Sequence, residues 1–175
     1  MKFLELLEPM TPKTFDKNEV YVIAIMLFIW MLFFTIHKKE RRLLLTEIVC
    51  IYIFNVLFAT VGDRILAEPP LDFYDTLDYG HGEFYDIVLQ LCVYPLPILI
   101  LIHFYRKYKP RIVTYTLLCA CILSGLEWIS VQYFNLFQYK EWKNFYSFLF
   151  YIFAVLTNIL LSILLKKFIA NRQNR

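Results

Sequence analysis

Apolar residues gather into five long runs along the chain, at residues 20–36, 43–61, 87–104, 112–132 and 145–165, with polar residues between them. Each run has roughly the 17–25 residues a helix needs to cross a bilayer. A soluble helical bundle would carry polar stripes on its outer helices. The first run has none, because only Thr35 interrupts it. The pattern predicts an all-α, polytopic transmembrane bundle of five spans forming one domain over the whole 175-residue chain. Composition agrees: 59% of residues are hydrophobic and the mean hydropathy is +0.53, against about 45–50% apolar residues in soluble domains.

Charge gives the bundle a direction. Basic clusters follow the first span (Lys38, Lys39, Arg41, Arg42), the third (Arg106, Lys107, Lys109, Arg111) and the fifth (Lys166, Lys167, Arg172, Arg175). Twelve of the eighteen Lys and Arg thus share one side with a single acid, Glu40, while the other side holds six Lys and Arg and twelve acids. Positive loops stay in the cytoplasm. The expected orientation is N-terminus outside and C-terminus cytoplasmic, in the plasma membrane. The start of the chain lacks the apolar core of a cleavable signal and suits a short interfacial helix over residues 1–8. Cys50, Cys92, Cys119 and Cys121 all lie within spans and form no C-x-x-C pair, so they are expected to act as small apolar packing residues.

Pro95 and Pro97 interrupt the third span. Each removes a backbone donor and crowds the carbonyl one turn back, at Leu91 and Val93, so a kink is expected. Gln90, Tyr94 or a neighbouring helix would supply the missing partners. The longest connection, the acidic outer loop 62–86, could hold a short helix opened by Pro69-Pro70 and closed by Gly80. A faint echo between Arg42…Cys50 and Arg111…Cys119 hints at duplicated helix pairs.

Three spans carry small or polar residues on one face. These are Glu47, Asn55 and Gly62 in the second, Thr116, Ala120, Ser124 and Glu127 in the fourth, and Ala154, Asn158 and Ser162 in the fifth. Such faces let helices approach and hydrogen-bond. The second, fourth and fifth helices are therefore expected inside the bundle, and the first at the lipid-facing edge. Ionisable groups within spans mark candidate sites. Glu47 lies near the inner surface, within reach of Arg41 or Arg42. Glu127 lies near the outer surface, at the depth of Arg64, its expected partner, for which Asp63 competes. The intramembrane polar candidates are therefore Glu47, Asn55, Arg64, Glu127 and Asn158.

In the outer loop, Asp75, Asp78, His81 and Glu83 are candidate metal ligands, since hard cations favour clustered carboxylates. Their spacing fits no EF-hand or zinc pattern. The aromatics between the acids could form a lid, and Trp128, Tyr133, Tyr139, Trp142 and Tyr146 read as an outer aromatic belt. No nucleophile motif, phosphate loop or dinucleotide fingerprint is present. No cofactor and no nucleic-acid partner are expected; the bilayer, a second copy or another membrane protein are.

Asp63-x-Ile65-Leu66, Tyr74-Asp75, Asp78-Tyr79-Gly80 and Tyr94-Pro95, followed by Glu127-Trp128 and Trp142-Lys143-x-x-Tyr146-Ser147, form a spaced set of motifs. In these the chain resembles an uncharacterised family of small integral membrane proteins of endospore-forming Gram-positive bacteria. The family's second Tyr-Pro is replaced here by Tyr151-Ile152. The resemblance implies the multi-span architecture and no activity. Three functional expectations follow, in this order: a non-enzymatic structural or accessory membrane protein, a small transporter or ion pathway using Glu47 and Glu127, and a membrane enzyme or sensor with a metal at the outer loop.

Overall fold

The computed structural model describes residues 14–77 and 83–173. The interfacial helix expected at residues 1–8 lies outside them. Five helical spans follow in order: α1 (Lys17–Lys39), α2 (Leu45–Leu66), a composite third span, α5 (Ile112–Phe134) and α6 (Asn144–Gln173). The third span is built from α3 (Phe84–Val88), one π-helical turn (Leu89–Val93) and α4 (Pro95–Tyr108). All five are long and apolar enough to cross a membrane. Large apolar side chains such as Leu27, Met31, Leu57 and Leu164 are exposed along them, as a lipid-facing surface requires.

Local signals place the helix ends. Asp16 caps α1: its Oδ1 accepts from the Asn18 amide at 3.0 Å, and its own amide donates to Glu19 Oε2 at 2.7 Å. Helix α2 extends to Leu66 and the next begins at Phe84, so the connection is shorter than the expected 62–86. Among the described residues, no helix follows Pro69-Pro70. The chain turns there and enters a short strand, β1 (Tyr74–Thr76), which pairs antiparallel with β2 (Phe137–Tyr139), Tyr74 opposite Tyr139. The carbonyl of Phe73 accepts from the amides of Lys140, Glu141 and Trp142 at 2.9–3.2 Å. The two connections on this side are thereby knitted into one ribbon across the helix ends. The opposite side carries the basic clusters.

The centre of the bundle is the third span, half of whose apolar window is buried. Leu96, Leu99 and Ile102 pack with Ile51 of α2, Cys119 of α5 and Val155 and Ile159 of α6. The expected interior of second, fourth and fifth helices is thus incomplete. Nor does α1 lie wholly at the lipid edge: Val22, Ile29 and Phe33 are buried against the third span. Apolar side chains facing protein and lipid look alike in sequence, so a helix without polar residues gives no sign of which face packs.

The prolines act through a π turn. Tyr94 N–H bonds the Leu89 carbonyl five residues back, at 2.9 Å. The Leu91 carbonyl, which Pro95 cannot serve, accepts from the Tyr52 hydroxyl of α2. The Cys92 carbonyl accepts from Trp30 Nε1 of α1 at 2.9 Å. Gln90 is occupied by Asp63 and Asp86, and the Tyr94 hydroxyl serves neither carbonyl. Trp30→Phe keeps an aromatic ring there but strands the Cys92 carbonyl. It should destabilise the protein by about 1–2 kcal/mol, read as a lower melting temperature in neutral detergent. Melting identical to wild type would show that the π turn is held without the indole.

Candidate functional site

Polar side chains inside the bundle meet at three levels. At the basic end, Glu47 is 2% exposed and bound by Arg106, whose Nη1 reaches its two carboxylate oxygens at 2.7 and 2.8 Å. Arg106 also donates from Nε to Ser162 Oγ at 3.0 Å and from Nη2 to the Ser162 carbonyl at 2.7 Å. Glu47 closes its own helix as well, accepting from the Leu44 amide at 2.8 Å. Its partner is therefore Arg106, not Arg41 or Arg42. Arg106 lies in the last turn of α4, and only the packing of α4 between α2 and α6 brings it to Glu47.

Midway, Asn55 and Asn158 exchange amide hydrogen bonds at 2.7 and 3.0 Å. Each also donates to its own helix, Asn55 to the Ile51 carbonyl and Asn158 to the Ala154 carbonyl. This mutual pairing ties α2 to α6.

At the ribbon end, Glu127 is held by hydroxyls. Ser147 Oγ donates to Oε1 and Tyr151 Oη to Oε2, each at 2.5 Å, and Tyr139 Oη donates to Oε1. Trp142 Nε1 donates in turn to Ser147 Oγ at 2.8 Å. Arg64, the expected partner, is turned outward. Its side chain is 75% exposed and its Nε lies 3.1 Å from Glu68 Oε2, one turn on. Sequence depth matched Arg64 to Glu127, but the exposed face of α2 carries Arg64 away.

Asp63, beside Arg64, was not among the expected site residues. It accepts from Tyr74 Oη at 2.8 Å and Gln90 Nε2 at 3.0 Å, and Gln90 also reaches Asp86 at 3.3 Å. Burial first, and then the Asp63 carboxylate, push the Tyr74 phenol upward; burial and Glu127 do the same to Tyr139. Both phenols therefore stay protonated donors at neutral pH.

Asp63 and Glu127 line one cavity of about 360 Å³ beneath the ribbon. Tyr21, Tyr74, Tyr94, Tyr139, Trp142 and Tyr151 contribute to its wall. It extends inward to Asn55 but does not include Glu47. Among the described residues, no Lys, Arg, His or Cys lines it.

Among the described residues, no group of three or more His, Cys, Asp or Glu is placed to hold a metal. Asp75 instead shares Lys140 with Asp72, at 2.8 and 2.7 Å. Glu83 is buried before the first turn of α3, and Asp78 and His81 lie outside the described residues. The four cysteines are free thiols, with Cys119 buried and Cys50 and Cys121 exposed. No family model, curated relative or solved structure matches the chain.

Arg106→Gln would leave the Glu47 carboxylate buried beside a neutral group. It should cost about 3–5 kcal/mol, whereas Arg64→Gln at an exposed pair should cost less than about 1 kcal/mol. Equal melting of the two variants in detergent would contradict this ordering. A second test uses Glu40, whose carboxyl is held below the usual carboxylate range by the hydrogen bond from Lys107. That stabilisation is complete above the usual range and is lost as pH falls through the lowered value. The melting difference between wild type and Glu40→Gln should be full at neutral pH and close on acidification. A difference independent of pH would refute the pairing.

Proposed function

We propose that this chain is a non-enzymatic, multi-pass protein of the plasma membrane whose ribbon-end cavity is a ligand-binding site open to the exterior. In this reading the basic end and the C-terminus face the cytoplasm, as the charge asymmetry favours. The observation that carries the reading is the cavity, with two carboxylates in its wall and, among the described residues, no basic residue lining it. A concave, mostly apolar space with a few convergent polar groups is where small ligands bind. The Glu47–Arg106 and Asn55–Asn158 pairs are committed to each other, as expected of an accessory or scaffolding membrane protein rather than a catalyst. The resemblance to small integral membrane proteins of endospore-forming bacteria is compatible with such a role.

An ion pathway has less support. It needs Glu47 and Glu127 to face one water-accessible space, but Glu47 is enclosed by Arg106 and the Asn55–Asn158 pair lies between them. The outer-loop metal site also lacks support, because Asp75 is engaged by Lys140.

Cysteine accessibility tests the reading. With the four native cysteines replaced by alanine, Ala154→Cys in the cavity wall should react in intact cells with a small membrane-impermeant thiol reagent. Ser162→Cys, at the basic end, should not. An inert Ala154→Cys, or a Ser162→Cys labelled equally fast, would contradict an outward-facing cavity above a closed inner half.

A further inference from the structure

The cavity wall has the chemistry of a cation site. Asp63 and Glu127 carry full negative charge when ionised, yet their hydrogen-bond partners are all neutral: Tyr74 and Gln90 on one, Ser147, Tyr139 and Tyr151 on the other. The cations nearest in sequence are committed elsewhere, Arg64 to Glu68 and Lys140 to Asp72 and Asp75. Two carboxylates in a low-dielectric wall, without a counter-charge among the described residues, form a negative pole when ionised that a buried cation would stabilise.

Aromatic rings add to that pole, since the faces of Tyr and Trp attract cations. A separate observation points the same way. The hydroxyl of Tyr94 lies in this wall, and its oxygen is buried with no hydrogen-bond partner. Buried hydroxyls are almost always paired, so this one is poised for a group supplied from outside the chain.

Away from the carboxylates the wall turns apolar, through Phe28, Leu32, Phe58 and Leu123. Asn55 lies eight residues before Asp63 on α2, a distance of about 12 Å at the helical rise. The space is thus long, with a charged aromatic end beneath the ribbon and an apolar end deeper in the bundle. Hard metal ions seek clustered carboxylate oxygens, and among the described residues no group of three or more His, Cys, Asp or Glu is placed to hold one.

We propose that the cavity binds an amphipathic organic cation: a protonated amine whose ammonium lies between Asp63 and Glu127, and whose apolar chain runs inward past Phe58 and Leu123. The inference rests on the ligand-cavity reading above and names the chemistry of its occupant. The ammonium donates hydrogen bonds to the carboxylates and to the Tyr94 hydroxyl oxygen. Such a group could come from a soluble amine or from an amine-headed lipid, because both present the same ammonium on an apolar stem.

The test uses the full chain purified in a neutral sugar detergent, with octylammonium as probe and 1-octanol as its uncharged counterpart. Binding is followed by tryptophan fluorescence, since Trp142 lines the cavity, and by melting temperature. Octylammonium should bind saturably and at least tenfold more tightly than 1-octanol. Asp63→Asn and Glu127→Gln should each weaken it at least tenfold, and Arg64→Gln should leave it unchanged. Tyr94→Phe has no internal hydrogen bond to lose; it should melt like wild type and bind the probe several-fold more weakly. This variant keeps the test decisive if a carboxylate variant fails to fold.

Displacement of the probe by phosphatidylethanolamine but not by phosphatidylglycerol would support the inference with a lipid as source. Displacement by neither would support it with a soluble amine. Equal binding of octylammonium and 1-octanol would overturn the cation inference while leaving a ligand cavity in place. Probe binding indifferent to Asp63, Glu127 and Tyr94, or no saturable binding of the probe, would also overturn it. The cysteine-accessibility result does not depend on any of these affinities.

Discussion

A polar group surrounded by hydrocarbon must find its partner within the chain, and this constraint organises the whole bundle. Glu47 takes Arg106, Asn55 takes Asn158, and the carbonyls freed near the two prolines take Tyr52 and Trp30. Each of these contacts joins different spans. Apolar packing alone has little preference between helix and lipid. The hydrogen-bonded pairs therefore set which helices meet and in what register, and the core around Leu99 fills the space they define.

The two ends of the bundle meet this constraint differently. At the basic end, acid and base neutralise each other, and the guanidinium also satisfies the hydroxyl and carbonyl of Ser162. At the ribbon end, acids are met by neutral hydroxyls and an amide, with no basic partner among the described residues. The ribbon covers that region and contributes Tyr74 and Tyr139 to it, so the strands both close the bundle and furnish the site. One closed end and one charged hollow end are what a binding protein in a membrane would need.

Much of the architecture was legible in the sequence because bilayer thickness and helical rise demand long apolar runs. The intramembrane acids and asparagines were legible because such residues are rare there. Their partners were not. Arg106 reads as one more flanking positive charge, and only tertiary packing carries it 59 residues back to Glu47. Arg64 was matched to Glu127 by depth, although the azimuth of α2 points it outward. Asp63 stood in the sequence only as a rival of Glu127 for Arg64, since nothing in the chain pairs it with Tyr74 and Gln90 before the fold does. The acids at 72, 75 and 78 recur every third residue, which is not the period of a strand, so β1 had no periodic signal in the sequence. Trp30 and Tyr52 look like lipid-facing aromatics until the π turn supplies acceptors for them.

The central claim is that Glu127 is held by neutral hydroxyls and not by a cation. A double-mutant cycle measures this most directly. Glu127→Gln is combined in turn with Tyr151→Phe and with Arg64→Gln, and stability is read by unfolding in neutral detergent. The expected result is a coupling of about 1 kcal/mol or more with Tyr151 and none with Arg64. Coupling to Arg64 without coupling to Tyr151 would mean that the acid carries its own counter-ion, and the negative pole of the cavity would not exist.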